Sequence, residues 1–497
     1  MKTKLTLVLF LILAQLTLFG QDGVLDPTFG DGGIATTDFF LKRDLAYEMA
    51  QQDDDKLLVV GTSYALDFSE NSALLARFHT DGSLDVTFGI DGSVLAEDTS
   101  GHNSFLRVSL QSSGNIIVHG ARGSPSGSQG YLTRFLPSGV VDINFGTNGV
   151  VDISSVAKLK VLDDDKLLIL HGVINGGSTI GFSRYLENGS IDNSYGVNGT
   201  ATSSLPSGSF SSSSMVQMAS GEIIVQGRRK KPTTSEFIVM KFTADGYLNQ
   251  NFGTNGETVI AFDDLSVQDY NASAGTITSE GKIIVAGSYG HCDYEIQPFL
   301  LRLLSNGAFD LSFGDNGLRM LEQSSFRPKD VIVQGNQRIL VSGRWTDCID
   351  SGSLTTHRYF TNGNVDTSYG NNGRTYLEMN GDKAMLQNDG NIVISGSSWW
   401  HSGEEDIVMA RYTNNPLGID ENVHQTANIY PNPSTGTFVL ELPNLIKPII
   451  YSVLDVSGKI IKTGMLFDVA TTLDISEVQS GLYFLKVESS TLQLIKE

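Results

Sequence analysis

Seven copies of one short motif constrain this chain more than any other feature in it. The first copy is Val24-Leu-Asp-Pro-Thr-Phe-Gly-Asp-Gly-Gly33. It returns as Leu84-Asp-Val-Thr-Phe-Gly89, Val141-Asp-Ile-Asn-Phe-Gly146, Ile191-Asp-Asn-Ser-Tyr-Gly196, Leu248-Asn-Gln-Asn-Phe-Gly253, Phe309-Asp-Leu-Ser-Phe-Gly314 and Val365-Asp-Thr-Ser-Tyr-Gly370. Successive copies lie 50 to 61 residues apart. A period of that size means one supersecondary unit per copy, stacked in an array or closed in a ring.

Two further motifs recur with the first. An apolar run ends in glycine at Gly61, Gly120, Gly172, Gly227, Gly287, Gly343 and Gly396. A basic residue precedes a large apolar one at Arg77-Phe78, Arg134-Phe135, Arg184-Tyr185, Lys241-Phe242, Arg302-Leu303, Arg358-Tyr359 and Arg411-Tyr412. The motifs are out of phase. The first Asp-x-x-Phe-Gly precedes any unit, and the last unit stops at Tyr412 without one. A ring in which the N-terminal segment completes the last unit repairs this, and it pairs Asp26 with Arg411.

Each unit reads as four strands. In the first unit these are A near Tyr47–Gln51, B at Lys56–Thr62, C at Ala73–His79 and D from Ser83 past the Phe-Gly. Four-stranded units in a ring are propeller blades, and closure by the other terminus hides the open edge. A three-residue turn such as Thr80-Asp81-Gly82 places Phe78 opposite Leu84 and Arg77 opposite Asp85. The same spacing pairs Arg134–Asp142, Arg184–Asp192, Arg302–Asp310 and Arg358–Asp366, and in the fourth unit both partners soften to Lys241 and Asn249. These charges read as architecture, and as exposed pairs they contribute at most about 1 kcal/mol each.

The repeated Asp-x-x-(Phe/Tyr)-Gly-x-x-Gly together with Ile-Ile-Val-x-Gly resembles the delta-60 repeat, a β-propeller repeat of secreted bacterial proteins. The resemblance covers roughly residues 24 to 413. It implies an all-β fold, a seven-bladed β-propeller closed by an N-terminal strand, and leaves the activity open.

The chain has 497 residues, with 55 acidic and 34 basic side chains and a net charge of −21. That acidity argues against nucleic acid as a partner, since phosphates would be repelled. Residues 1 to 20 read as a secretory signal peptide, with Lys2 and Lys4 ahead of the apolar run Leu5 to Phe19. No other stretch is apolar and long enough to be read as a transmembrane anchor. The two cysteines, Cys292 and Cys348, fall in equivalent loops of neighbouring units. Export permits a disulfide between them, whereas the distance between adjacent units argues against it.

Residues 21 to 413 thus form the repeat domain, 414 to 427 a polar linker, and 428 to 497 a unit without blade motifs. Alternating strands in this last unit suggest a small Ig-like β-sandwich. Its opening Tyr430-Pro-Asn-Pro-Ser-Thr-Gly436, Asp455-Val-Ser-Gly-Lys459, Ser480-Gly-Leu-Tyr483 and Lys496 resemble the type A C-terminal sorting domain of the type IX secretion system of Bacteroidota. That resemblance implies export through the periplasm and across the outer membrane. The product is then released or held at the cell surface, and the secretion machinery is a partner through residues 428 to 497.

No metal-protease, phosphate-loop or nucleophile-elbow motif is present in the sequence. The acidic runs Asp53–Asp55 and Asp163–Asp165 lie in A–B turns and read as solvated. Calcium is the alternative, since clustered carboxylate oxygens suit it. The basic run Arg228–Lys231 reads as a solvated B–C loop, with an anion contact as the alternative. The three tryptophans, Trp345, Trp399 and Trp400, follow strand B in adjacent units. His401 comes next, and Tyr289 and His291 occupy the equivalent loop of the fifth unit. Exposed indoles suit stacking on sugars or gripping peptide; packing between blades is the competing reading. The expected function is therefore an exported binding or scaffold module, with a carbohydrate or protein ligand on the face bearing the long B–C loops. A propeller glycosidase or polysaccharide lyase, built on His291, Tyr289 and His401, is the enzyme alternative. A purely structural surface component is the third.

Overall fold

The computed structural model describes residues 22–497 apart from 40–42, 66–69, 97–101, 125–126, 154–157, 172–178, 206–208, 232–234, 261–269, 292–294, 323, 347–351, 399–404, 415–427, 442–448, 457, 467–469 and 488–489. The expected signal peptide, both cysteines and nearly all of the expected linker lie outside the described residues. Those described contain strands and turns and no helix. The chain divides into two units, Met1–Pro416 and Leu417–Glu497.

The first unit is a β-propeller built, among the described residues, from seven four-stranded antiparallel sheets. Six of them use consecutive strands. In the first these are A (Arg43–Gln51), B (Leu57–Tyr64), C (Asn71–Phe78) and D (Ser93–Ala96). The seventh takes its fourth strand, Ile34–Thr37, from the start of the chain, where Ile34 pairs with Ala410 and Thr37 with Ile407. Leu25 bridges Tyr412 just beyond.

Strands B and C carry unbroken apolar runs, such as Leu57–Val60 and Ala73–Ala76 in the first sheet, because both of their faces are covered. In the first sheet Leu58, Val60 and Leu75 pack toward Phe105 and Val118 of the second. Leu57, Val59 and Leu74 pack the other way, toward Val393, Ile407 and Met409 of the seventh. Each neighbouring pair of sheets shares such a core in turn.

Two expectations are corrected here. Strand D does not start at Ser83. Leu84 makes one bridge to Phe78, the chain then turns through the motif, and D begins at Ser93. The Asp carboxylate directs this turn: Asp85 Oδ1 accepts from the Thr87 amide at 3.1 Å and from its hydroxyl at 2.5 Å. Such local side-chain bonds compete with the ladder. The second correction concerns the B–C loops, which are shorter than the sequence suggests because strand B continues past the motif glycine. In the second sheet B runs to Ser124 and C starts at Gly127, paired with each other.

The glycine marks something other than a strand end. In six of the sheets strand A carries a bulge, for example between Ala46 and Glu48 or between Pro328 and Asp330. A Cβ on Gly61 would lie 1.7 Å from the Leu45 carbonyl oxygen, and one on Gly396 would lie 1.9 Å from that of Asn380. The glycine gives the bulged strand room, and the bulge re-aims strand A side chains.

The C-terminal unit has two sheets. One pairs Asn428–Tyr430, Thr437–Glu441 and Ala470–Asp474. The other orders Ile460–Leu466, Ile449–Asp455, Gly481–Val487 and Ser490–Lys496. Phe438 and Leu473 from the first meet Val453, Leu485 and Leu494 from the second in one core. The opening motif has a structural part: Asn432 Oδ1 accepts from the Ile495 amide at 2.8 Å, and its Nδ2 donates to the Gln493 carbonyl at 2.7 Å.

Candidate functional site

The recurring charges meet at the seams between neighbouring sheets. Six arginines donate Nε to the motif aspartate at 2.7 to 2.9 Å: Arg77–Asp85, Arg134–Asp142, Arg184–Asp192, Arg302–Asp310, Arg358–Asp366 and Arg411–Asp26. Each guanidinium also lies 4.5 to 5.1 Å over the motif aromatic ring, from Phe88 in the first unit to Phe29 at the chain start. In four cases Nη1 reaches a turn carbonyl of the next sheet, as Arg77 does to Pro137 and Arg411 to Thr80, both at 2.6 Å. These pairs were expected at the surface. All six aspartates and every one of these arginines except the half-buried Arg184 are buried instead, with Arg358 and Asp366 both 0% exposed, because the aromatic ring and the neighbouring turn cover them.

The fourth seam shows the same logic with exchanged charges. Asn249 replaces the aspartate, and Glu222 supplies the missing carboxylate, 2.7 Å from Lys241 Nζ and 3.0 Å from Asn249 Nδ2. Glu222 stands where other units place Lys56, Lys282 and Arg338, each 3.2 Å from its own motif aspartate. The sixth seam lacks a following turn of the usual kind. Asp22 takes its place, accepting from Gly370 N through its carbonyl at 2.8 Å and from Arg358 Nη1 through its carboxylate at 2.7 Å. Asn414, placed at the start of the linker by the sequence, is buried here and accepts from Arg358 at 2.9 Å.

Other candidates also become structural. Asp55 accepts from Asn388 Nδ2 at 2.8 Å, and Asp165 accepts from the Ser112 amide at 2.7 Å, so these acidic turns tie neighbouring sheets. The basic run is mostly strand. Arg229 is buried, with both Nη atoms 2.8 and 2.9 Å from Glu257 and Nε 3.1 Å from Glu236.

Of the aromatic candidates, Trp399, Trp400 and His401 lie outside the described residues, as do Cys292 and Cys348. Tyr289 and His291 belong to the strand Ile283–His291 and not to a loop. Tyr289 is half-buried against the core shared by the fourth and fifth sheets. Trp345 also lies on a strand, Ile339–Thr346, and is 37% exposed. It pairs with Ser353, and Thr355, two residues on, pairs with Tyr376. Trp345 and Tyr376 therefore share a face of the sixth sheet. Tyr376 is 59% exposed, and its hydroxyl accepts from Ser353 Oγ at 2.6 Å. Both rings line a cavity of about 700 Å³ that Arg374, Asn371 and Val24 also border.

A second site was not visible in the motifs. One cavity of about 440 Å³ is lined by the first strand of all seven sheets. At the register position opposite the residue next to the motif glycine stand Glu48, Arg107, Ser214, Ala274, Asp330 and Lys383, with Lys158 equivalent in the third sheet. Counting thirteen residues back from the motif glycine, or fourteen in the third unit, finds all seven. Composition at this position varies from charged to small, so no repeat signal advertises it.

The family comparisons agree with this architecture. Residues 428–497 match the secretion system C-terminal sorting domain. Residues 52–88, 278–313 and 387–415 match a β-propeller domain of unknown function, DUF5122. The chain is thus a β-propeller carrying a sorting domain for export to the cell surface or beyond, by way of the periplasm. Among the described residues no helix is long and apolar enough to cross a membrane. No curated protein matches the chain. Solved structures are similar only distantly. A protein of unknown function from Dyadobacter fermentans is 11% identical, with a TM-score of 0.44 over 77% of this chain and 98% of its own. The polysaccharide lyase Uly1 is 11% identical, with a TM-score of 0.46 over 79% and 96%. The β-propeller domain of the Trilobed protease from Pyrococcus furiosus is 8% identical, with a TM-score of 0.35 over 79% and 96%.

Proposed function

We propose that the protein is an exported binding module, a seven-bladed propeller closed by its N-terminal strand and delivered by an Ig-like sorting domain. Its ligand is a carbohydrate gripped on the sixth sheet. The observation that carries this reading is the pair of exposed rings, Trp345 and Tyr376, on one face beside a cavity bordered by Arg374 and Asn371. A flat apolar ring beside hydroxyl and amide groups matches a sugar, which has an apolar face and a polar rim. The ring closure supports a rigid platform. Asp26, Phe29 and Asp22 complete seams that the last two sheets cannot complete alone.

A glycan and peptide array with the secreted chain tests this, with Trp345→Ala and Tyr376→Ala alongside. Specific glycan binding that falls about tenfold or more in the folded variants is expected. Binding unaffected by both substitutions removes the site. Binding confined to peptides removes the carbohydrate. Release of a modified sugar by the wild-type chain replaces binding with catalysis.

A further inference from the structure

The cavity lined by the seven inner strands has a charge pattern that structure alone does not require. Taken around the sheets, its equivalent positions read Glu48, Arg107, Lys158, Ser214, Ala274, Asp330, Lys383. Lys383 lies between two acids, 3.2 Å from Glu48 and 3.0 Å from Asp330. Arg107 lies 3.2 Å from Glu48. Lys383 and Arg107 thus occupy both carboxylates, whereas Lys158 makes no ion pair among the described residues. Its neighbours are Arg107 on one side and Ser214 on the other. Beyond Ser214 comes Ala274, so the ring carries two short side chains in succession next to Lys158. Lys329 adds a further base to the lining.

We infer that this inner cavity is a binding site for a small oxyanion, a sulfate, phosphate or polycarboxylate group. The anion is held by Lys158 and Arg107 over the gap left by Ser214 and Ala274. An excess of cations converging on one cavity, in a chain of net charge −21, concentrates positive potential that low-dielectric walls reinforce. Burial, together with Arg107 and then Lys383, and against the pull of Glu48, pushes the Lys158 ammonium down to about 8. His119 and Lys383 lie outside this range. Burial drives His119, behind the inner strands, down to about 4, so it is neutral. Asp330 above all, against burial and with help from Glu48, holds Lys383 well above its ordinary value. The anion therefore binds the protonated form of Lys158, and affinity falls as pH rises through about 8.

Calorimetric titration of the full secreted chain with inorganic sulfate, inorganic phosphate and citrate tests the assignment. Sulfate serves as the reference because its own charge is constant over this range. Saturable binding of at least one probe is expected, weakening above pH of about 8. Lys158→Gln should weaken it about tenfold, the scale of one hydrogen bond to a charged group. Lys158→Arg should keep the affinity and lose the pH dependence, which a merely structural lysine would not produce. If citrate alone binds, the ligand is a polycarboxylate; if sulfate and phosphate bind, it is a tetrahedral ester or free ion. No saturable binding of any probe overturns the proposal, and so does binding unchanged in a folded Lys158→Gln chain. Trp345→Ala should leave this binding intact, so the two sites fail independently.

Discussion

The seams between sheets and the ring of inner-strand charges use the same residue types and end in opposite states. At a seam the motif arginine is engaged on several sides. Arg358 gives Nε to Asp366, Nη1 to Asp22 and Asn414, and its flat face to Tyr369. In the inner ring Lys158 stands between Arg107 and Ser214 and makes no ion pair among the described residues. A buried cation with all its bonds satisfied is part of the fold. One left over beside a cavity is available to a ligand. The contrast lies in how completely the partners saturate each group, which residue type alone does not reveal.

The sharpest way to break this comparison is to delete one cation of each kind. Arg358→Ala leaves Asp366 buried with Arg338 as its one remaining cation among the described residues, and should destabilise the propeller by about 3 kcal/mol or more. Lys158→Gln should instead stabilise it at neutral pH, by roughly 1 to 3 kcal/mol. The sign follows from linkage. A lysine lowered to about 8 in the folded chain disfavours folding at lower pH, and that penalty disappears as pH rises through about 8 toward the unfolded value. Denaturant unfolding of both variants checks the pair. A large loss for Lys158→Gln would make it a seam residue after all.

Acid should dissolve the seams next. Against burial, the Ser312 hydroxyl and amide, Lys282 and Arg302 hold the Asp310 carboxyl down to about 2. Its contribution is complete above the unfolded carboxylate range and is lost as pH falls through about 2. Asp44 behaves oppositely. Burial outweighs its bonds to Ser63 and Phe39, with Asp38 and Asp406 adding repulsion, and pushes it up to about 7. Its fold therefore loses stability as pH rises from the unfolded carboxylate range through about 7. Thermal melts across pH, with Asp310→Asn and Asp44→Asn, should lose the acid limb and the neutral limb respectively.

A turn glycine gives a smaller effect at the same seams. Gly139 has φ +88, and a Cβ there would lie 2.9 Å from the Gly89 nitrogen and 3.0 Å from the Phe88 ring. Gly139→Ala should cost about 2 kcal/mol, combining left-handed strain with overpacking. The smallest effect is expected at the fourth seam. Asn249→Asp with Glu222→Lys restores the common charge pattern and should change the melting temperature by only a degree or two, since two charged schemes with equal satisfaction differ by about 0.5 kcal/mol. A collapse of that double variant would show that position, and not charge count, holds the seam.

The sequence determined the repeat and most of its meaning. The sevenfold motif, the continuous apolar runs and the Arg–Asp spacing were all legible, because strands buried on both faces and seams that recur must be rewritten in every unit. Asp26 and Arg411 lie 2.8 Å apart, and only the phase of the repeat could have joined residues so far apart in the chain. The sorting domain was equally legible from local motifs whose residues, such as Asn432, hold specific backbone groups. Tertiary structure alone decided the rest. It turned the Phe-Gly segment from strand into turn, because Asp85 bonds its own neighbours. It also buried the seam charges under the next sheet and moved Trp345 from loop to strand. The inner cavity was hidden for a physical reason. Its residues meet only when seven strands, each contributing a side chain of independent identity, converge, and a bulge read in sequence only as an invariant glycine aims them there.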